Sequence, residues 1–279
     1  MIQKFSFGKN WQRYVKYYVN EKIINQARES LLAYIPEDFY RDKIFIDIGC
    51  GSGIFSFAAL LLGCRKVYSF DIEENSVKAA KFLKKKLNHL LPDRNNRRWI
   101  IFRGNILDDD LVKNFTERGD IIYSWGVLHH TGNMWKAILN ALSLVKTNGI
   151  FVVSIYNRAP SSSFWLRVKK FYNHSNALIK SLLVLTLFIE TVLRRIMLRK
   201  HPLECERGMR TFTDVIDWLG GYPYEFASFD EVKNFVENLG CQLIKTPREI
   251  IPSPPARNFL DKIRRNYTGC NEFVFKKIK

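Results

Sequence analysis

Between Lys43 and Ala59 the chain reads KIFIDIGCGSGIFSFAA, and no other stretch restricts its fold so strongly. A short apolar strand, Ile44 to Ile46, ends in Asp47. Gly49, Gly51 and Gly53 follow at alternate positions, and an apolar helical run then passes through Phe57 and Leu60. Strand, glycine turn and helix start together make a cofactor cradle. Glycine lets the backbone approach a ligand where a Cβ would clash, and the helix end offers unpaired N–H groups. The spacing is G-x-G-x-G, not the G-x-G-x-x-G of dinucleotide sites, in which the third glycine packs helix on strand. An acid directly before the turn is a poor neighbour for a pyrophosphate and suits a cofactor with a cationic end.

Beyond the turn, strands and helices alternate. Lys66–Phe70 reads as a second strand ending in Asp71, which lies 18 residues past Gly53. At that distance in a βαβ unit a carboxylate meets a ribose, since it can accept from both sugar hydroxyls. A helix, Asn75 to Leu91, is closed by Pro92, and Trp99–Phe102 makes a third strand. In the turn Gly104–Asp110, Asn105 is placed to bond an adenine amino group and Ile106 to pack on its ring. A plain surface turn reads equally well there. Asp120–Ser124 is the fourth strand, and WGVLHHTGNMWKAI follows it. Ligands of open α/β sheets sit beyond the carboxyl ends of the strands near the switch point, which puts Trp125, Gly126, His129 and His130 at the mouth. The helix Met134–Val145, the turn Thr147–Gly149 and a fifth strand Ile150–Tyr156 extend the pattern to a parallel, doubly wound sheet. Ahead of it, residues 9–34 read as one helix. Phe7 and Trp11 of FGKNW read either as a hydrophobic staple onto the core or as a flap over the cofactor.

DIGCGSG, FD, YSWGVLHHTGNMWKA and IYN resemble the class I S-adenosylmethionine (SAM)-dependent methyltransferases of the ubiquinone/menaquinone methylase-like group. More narrowly, the chain is similar to bacterial small-molecule methyltransferases with an N-terminal FGxNW, a late RGM…DVIDWxGGYPxExA and a terminal GCNEFVF. These stand here at Phe7–Trp11, at Arg207–Met209 with Asp214–Ala227, and at Gly269–Phe275. The resemblance implies a seven-stranded Rossmann-like sheet and SAM as cofactor. Asp47, Gly49, Gly51, Gly53 and Asp71 would bind it, with Ile72, Asn105, Ile106 and Trp125 completing the set. Three positions depart from the group. Asn105 stands where many relatives have Asp, Arg158 follows IYN where Asp is usual, and 247–268 is a long, basic, proline-bearing loop.

Residues 158–210 read as an insertion between the SAM-binding core, 41–157, and a C-terminal part, 211–279, that ends in a β-hairpin; residues 1–40 form an N-terminal helical segment. Within the insertion Leu178, Leu182, Leu185, Ile189, Val192 and Ile196 recur at helical spacing. The uninterrupted apolar run Ser181–Ile189 is far shorter than the ~20 residues a membrane span requires. The helix reads as a lid over the acceptor pocket, a homodimer seam or an interfacial helix with Arg194, Arg195, Arg199 and Lys200 on anionic headgroups.

Forty-four Lys and Arg against 27 Asp and Glu give a formal charge of +17, which favours an anionic partner. Five scattered cysteines without a CxxC pair, and no apolar leader, lead to an expected cytoplasmic location, with contact to the inner membrane face under the interfacial reading. No His/Asp/Glu cluster has metal-ligand spacing. The expected reaction is transfer of a methyl group to a hydroxyl of a small-molecule, sugar or lipid-linked acceptor. His130, then His129, is the candidate general base, and Glu206, Asp214 and Tyr156 would orient the acceptor. The alternatives are an RNA (tRNA) methyl- or carboxymethyl-transferase, and a non-catalytic SAM-fold scaffold.

Overall fold

The computed structural model describes residues 7–91, 98–115, 117–199, 201–203, 211–249 and 269–278. Pro92, Lys200, Glu206, Arg207–Met209 and nearly all of the 247–268 loop lie outside them. Seven strands, β1 (Ile44–Ile48), β2 (Lys66–Asp71), β3 (Trp99–Arg103), β4 (Gly119–Trp125), β5 (Val145–Tyr156), β6 (Cys241–Arg248) and β7 (Cys270–Lys277), form one sheet. Their order is β3-β2-β1-β4-β5-β7-β6. The first five run parallel, and β7 is antiparallel to both of its neighbours. The doubly wound reading therefore holds, with the late hairpin as its antiparallel edge.

Strand alternation sends side chains to opposite faces, and each face carries its own core. Phe45, Val67 and Tyr123 pack with α1 (Gly8–Tyr17), α2 (Glu21–Leu32), α3 (Ile54–Leu61) and α4 (Glu74–Leu87). Ile44, Ile46 and Phe70 pack on the other face with α5 (Asp109–Lys113), α6 (Met134–Ser143) and α10 (Phe229–Asn238). All five residues of β1 are buried, as a central strand with both faces covered requires. The sheet winds outward in both directions from the β1–β4 pair, so the switch-point crevice opens beyond Ile48 and Trp125.

Three elements differ from the sequence reading. The single helix expected over 9–34 is two helices. Asn20 turns extended, and its side chain accepts from the Ile23 amide at 3.1 Å, which starts α2 afresh. The turn at Thr147–Gly149 lies inside β5 as an irregularity of the β4 pairing, with Asn148 at φ 63°. The insertion is not a self-contained unit. Its helices α7 (Ser162–His174) and α8 (Ala177–Met197) share a small core with α9 (Thr211–Gly220): Tyr172, Val184, Val215 and Leu219 are its buried centre. Of the seam expected to face inward if α8 were a lid, Leu178, Leu182, Leu185, Ile189 and Ile196 are exposed and Val192 is half-buried, because α8 turns Val184, Leu187 and Phe188 to its partners instead.

Candidate functional site

The glycine turn begins where β1 ends. Gly49, Gly51 and Gly53 have φ of 73°, 52° and 78°, a backbone region that suits glycine. A Cβ on Gly49 would lie 2.4 Å from Val127 of the turn after β4, and one on Gly53 would lie 2.9 Å from Ala80 and 3.0 Å from Trp99. Those two glycines therefore serve close packing. Gly51 faces Trp11, whose indole would stand 3.0 Å from an added Cβ.

Beneath the turn a buried polar chain sets Asp47. Trp99 Nε1 donates to Ser69 Oγ at 2.7 Å, Ser69 to Ser56 at 2.7 Å, and Ser56 to Asp47 Oδ2 at 2.5 Å. Burial pushes the Asp47 carboxyl up to about 7 against the pull of the Ser56 hydroxyl, and nearby Asp71 adds to the rise. Asp71 closes β2, and its two oxygens accept from the Gly51 amide at 3.1 Å and the Glu73 amide at 2.9 Å. Burial raises it to about 6, opposed by those two amides. The Ser76 side chain bonds the same carboxylate, which leaves room for one further donor. Ile72 beside it is 39% exposed and open to a flat ligand.

Asn105 and Ile106 divide. Asn105 turns its side-chain oxygen onto the Leu107 amide at 3.0 Å, an Asx turn that leaves its amide nitrogen available. Ile106 is 4% exposed within the lower core, so its side chain faces α6 and does not reach an adenine ring as expected. Trp125 is half-buried, with its indole tied to Glu272 at 3.2 Å, and Tyr34 holds the other oxygen of that carboxylate at 2.7 Å. Next to it a Cβ on Gly126 would meet nothing within 4 Å, so the crevice is open there.

The two histidines have different surroundings. His129 is fully buried against Tyr156, ring centroids 4.0 Å apart, and its Nδ1 accepts from the Tyr156 amide at 3.3 Å. Burial holds it well below the usual range, so the structure places it behind the cleft as a packing residue and not as a second base. His130 is half-buried. Its Nδ1 lies 2.6 Å from the Pro223 carbonyl, which can only accept, so that nitrogen carries the proton and Nε2 holds the free lone pair. Burial and the nearby Lys169 cation push it down to about 4. Tyr156 stands edge-on to His130 at 5.4 Å, and Phe7 lies 6.0 Å away. Asp214 sits one turn before Asp217 on α9. Arg158 pairs with Glu231 at 2.8 Å, which accounts for it outside the crevice.

Three features escaped the sequence reading. Phe7 and Gly8 donate their amides to Glu73 at 3.2 and 2.8 Å, so the carboxylate of the residue just before α4 caps α1, whose own N-cap residue Phe7 makes no side-chain cap bond. Asn10 donates to Asp217 on α9 at 2.6 Å, and burial lifts that acid to about 7. Together these clasps hold Trp11 across the glycine turn, where it also packs on the core as the staple reading expects. Lys169 on α7 is fully buried. Its Nζ donates to the Trp218 carbonyl and lies 4.1 and 4.9 Å from the Trp218 and Tyr224 rings, and burial lowers it to about 7. Its place on the apolar stripe Trp165, Lys169, Tyr172 was the available signal. Among the described residues no helix is long and apolar enough to cross a membrane.

A family model described as a methyltransferase domain matches residues 15–204. Over 50 residues the chain is 52% identical to the ribosomal protein L11 methyltransferase of Acinetobacter baumannii, covering 18% of this chain and 17% of that one. The chain thus spans about a sixth of the length of the curated relatives it matches. The fold matches the magnesium protoporphyrin IX methyltransferase of Synechocystis, solved with S-adenosylhomocysteine, at a TM-score of 0.51, 15% identity and coverage of 98% and 95% of the two chains. It also matches an S-adenosylmethionine-dependent methyltransferase of Mesorhizobium loti at 0.51, 14% identity and coverage of 89% and 96%.

Proposed function

The chain belongs to the methyltransferase-domain family with the class I fold, and on that premise we propose that it is a SAM-dependent methyltransferase acting on a hydroxyl of a small-molecule, sugar or lipid-linked acceptor. The observation that carries the reading is Asp71, bonded to the Gly51 amide and beside exposed Ile72, at the edge of an open crevice. A carboxylate at the rim with acceptor capacity left fits a ribose hydroxyl, and the two acids Asp47 and Asp71 fit a cation better than a pyrophosphate. Gly51 would pass the backbone under the ligand, Ile72 and Asn105 would meet the adenine, and Trp11 would cover it. When bound, SAM supplies an electrophilic methyl on a cationic sulfur.

His130 Nε2 would take the acceptor's hydroxyl proton, with Tyr156 and Phe7 walling the approach. A base near 4 is weak toward a free hydroxyl. It suffices once the oxygen begins to bond carbon, because the oxygen then becomes strongly acidic. Water exclusion would come from α1 on one side and from α7 and α9 on the other.

Calorimetry with S-adenosylhomocysteine tests the cofactor reading: a 1:1 heat is expected, with little heat from NAD. NAD binding without adenosylhomocysteine binding would overturn it. The charge of +17 supports a second reading in which the acceptor is RNA. It requires tRNA binding whose affinity falls steeply with salt, and salt-insensitive or absent binding would remove it.

A further inference from the structure

Among the described residues the outer face of α8 has no partner. Leu178, Leu182, Leu185, Ile189, Leu193 and Ile196 fall on one side of the helix and are 70, 55, 53, 49, 54 and 55% exposed. At four- and three-residue steps they form one stripe. No charged residue shares the stripe: Lys180, Glu190, Arg194 and Arg195 project from other sides of the helix. The opposite side of α8 is occupied by the small core with α7 and α9, so among the described residues only one face of the helix is covered. A helix apolar on both sides normally lies inside a protein, and a bare apolar stripe of this length marks an interaction site.

The surrounding charge says what fits it. Apart from buried Lys169, α7, α8 and the two residues after them carry Arg167, Lys170, Lys180, Arg194, Arg195 and Arg199 against one acid, Glu190. Phe164 and Phe171 on α7 are 60 and 56% exposed. A second copy of the chain seated on the stripe would bring two such cationic rims together. An anionic lipid surface would complement them while accepting the leucines.

We propose that α8 lies in the plane of an anionic membrane surface, with its leucine stripe among the lipid acyl chains and the basic rim on the headgroups. The helix does not span the bilayer. The proposal stands apart from the methyl-transfer reading, since it needs neither cofactor nor acceptor.

The test is sedimentation of the full chain with vesicles of phosphatidylcholine alone and of phosphatidylcholine with phosphatidylglycerol, beside analytical ultracentrifugation without lipid. The expected results are a monomer in solution, binding to the phosphatidylglycerol vesicles that weakens at high salt, and little binding to the neutral ones. Leu182→Glu with Leu185→Glu and Ile189→Glu should cut that binding at least tenfold. These side chains are about half exposed, so the thermal melt should not move. Three results would each overturn the proposal: wild-type protein that ignores anionic vesicles, a triple variant that binds them equally well, or a solution dimer that the triple variant dissociates. The last would make the stripe a seam between copies. Adenosylhomocysteine binding measured on the same samples reports on the cofactor reading separately.

Discussion

Lys169→Met tests the strangest group near the site, an amine with no exposure on a helix that the sheet does not need. In the folded protein it titrates at about 7 because burial disfavours its charge, against about 10.4 in an unfolded chain. The sign follows from proton counting. Below pH 7 both states hold the proton, and the cost of burying the charge stands in full. Between pH 7 and about 10.4 the native state has lost the proton and the unfolded state keeps it, so the stability linked to this site rises with pH. The limiting slope is about 1.36 kcal/mol per pH unit. With titration half complete at pH 7, the rise from pH 7 to pH 9 comes to about 2.3 kcal/mol. Loss of the bond to the Trp218 carbonyl and the new methionine packing add terms independent of pH in this range. They cancel when the wild-type minus variant difference is followed across pH. Urea denaturation read by tryptophan fluorescence at pH 6, 7, 8 and 9 should show that difference nearly level at first and then climbing. A difference constant to within about 0.5 kcal/mol from pH 7 to 9 would mean that the amine is solvated or paired, and that the burial argument fails.

Asp71→Asn should weaken adenosylhomocysteine binding by roughly 10- to 100-fold, the loss of a charge-assisted contact worth about 1.5–3 kcal/mol, with the unliganded melt little changed. An unaltered calorimetric Kd would move the ribose site elsewhere. SAM affinity should rise from pH 5 and level off above pH 7, because Asp47 at about 7 and Asp71 at about 6 must shed protons to meet a cation. Calorimetry in buffers of different ionisation enthalpy should then show proton release at pH 6, and a pH-independent affinity would contradict this. Asn10→Ala should free α1 from Asp217, speeding cofactor dissociation several-fold and amide exchange across residues 8–17. Unchanged rates would return Trp11 to a purely structural role.

The geometry of the glycine turn and Asp71 was legible because local constraints fix it. A glycine turn after a buried strand, and an acid at the end of the next strand, leave few geometries, and Asp71 does meet the Gly51 amide. Ile106 was misread because position in a turn does not tell which face of the sheet its side chain joins; Asn140 holds the Ile106 carbonyl at 2.8 Å and keeps that turn against α6. The sequence ranked His130 ahead of His129 but carried no sign of their different surroundings. Their difference comes from Pro223 and Tyr156, which lie 93 and 27 residues from the histidines they bond. The α8 seam was found except at one position, where exposed Leu193 takes the place of half-buried Val192, but periodicity reports that a face is apolar and says nothing of what covers it.

The insertion is also joined to the glycine turn. Trp165 of α7 packs edge-on against Trp218 of α9, with ring centroids 4.4 Å apart. The residue before Trp218, Asp217, holds Asn10 of α1 at 2.6 Å, and the next residue of α1, Trp11, lies on Gly51. Three contacts therefore lead from the insertion to the backbone that would carry the cofactor. Removing residues 160–205 would uncover Val215, Leu219 and Trp218, and α9 would lose the packing that positions Asp217. Its carboxylate could no longer hold α1 in register. By fixing α9 the outer helices thus hold Trp11 over the glycine turn, and a surface that engaged α8 from outside would act on the same three-helix core.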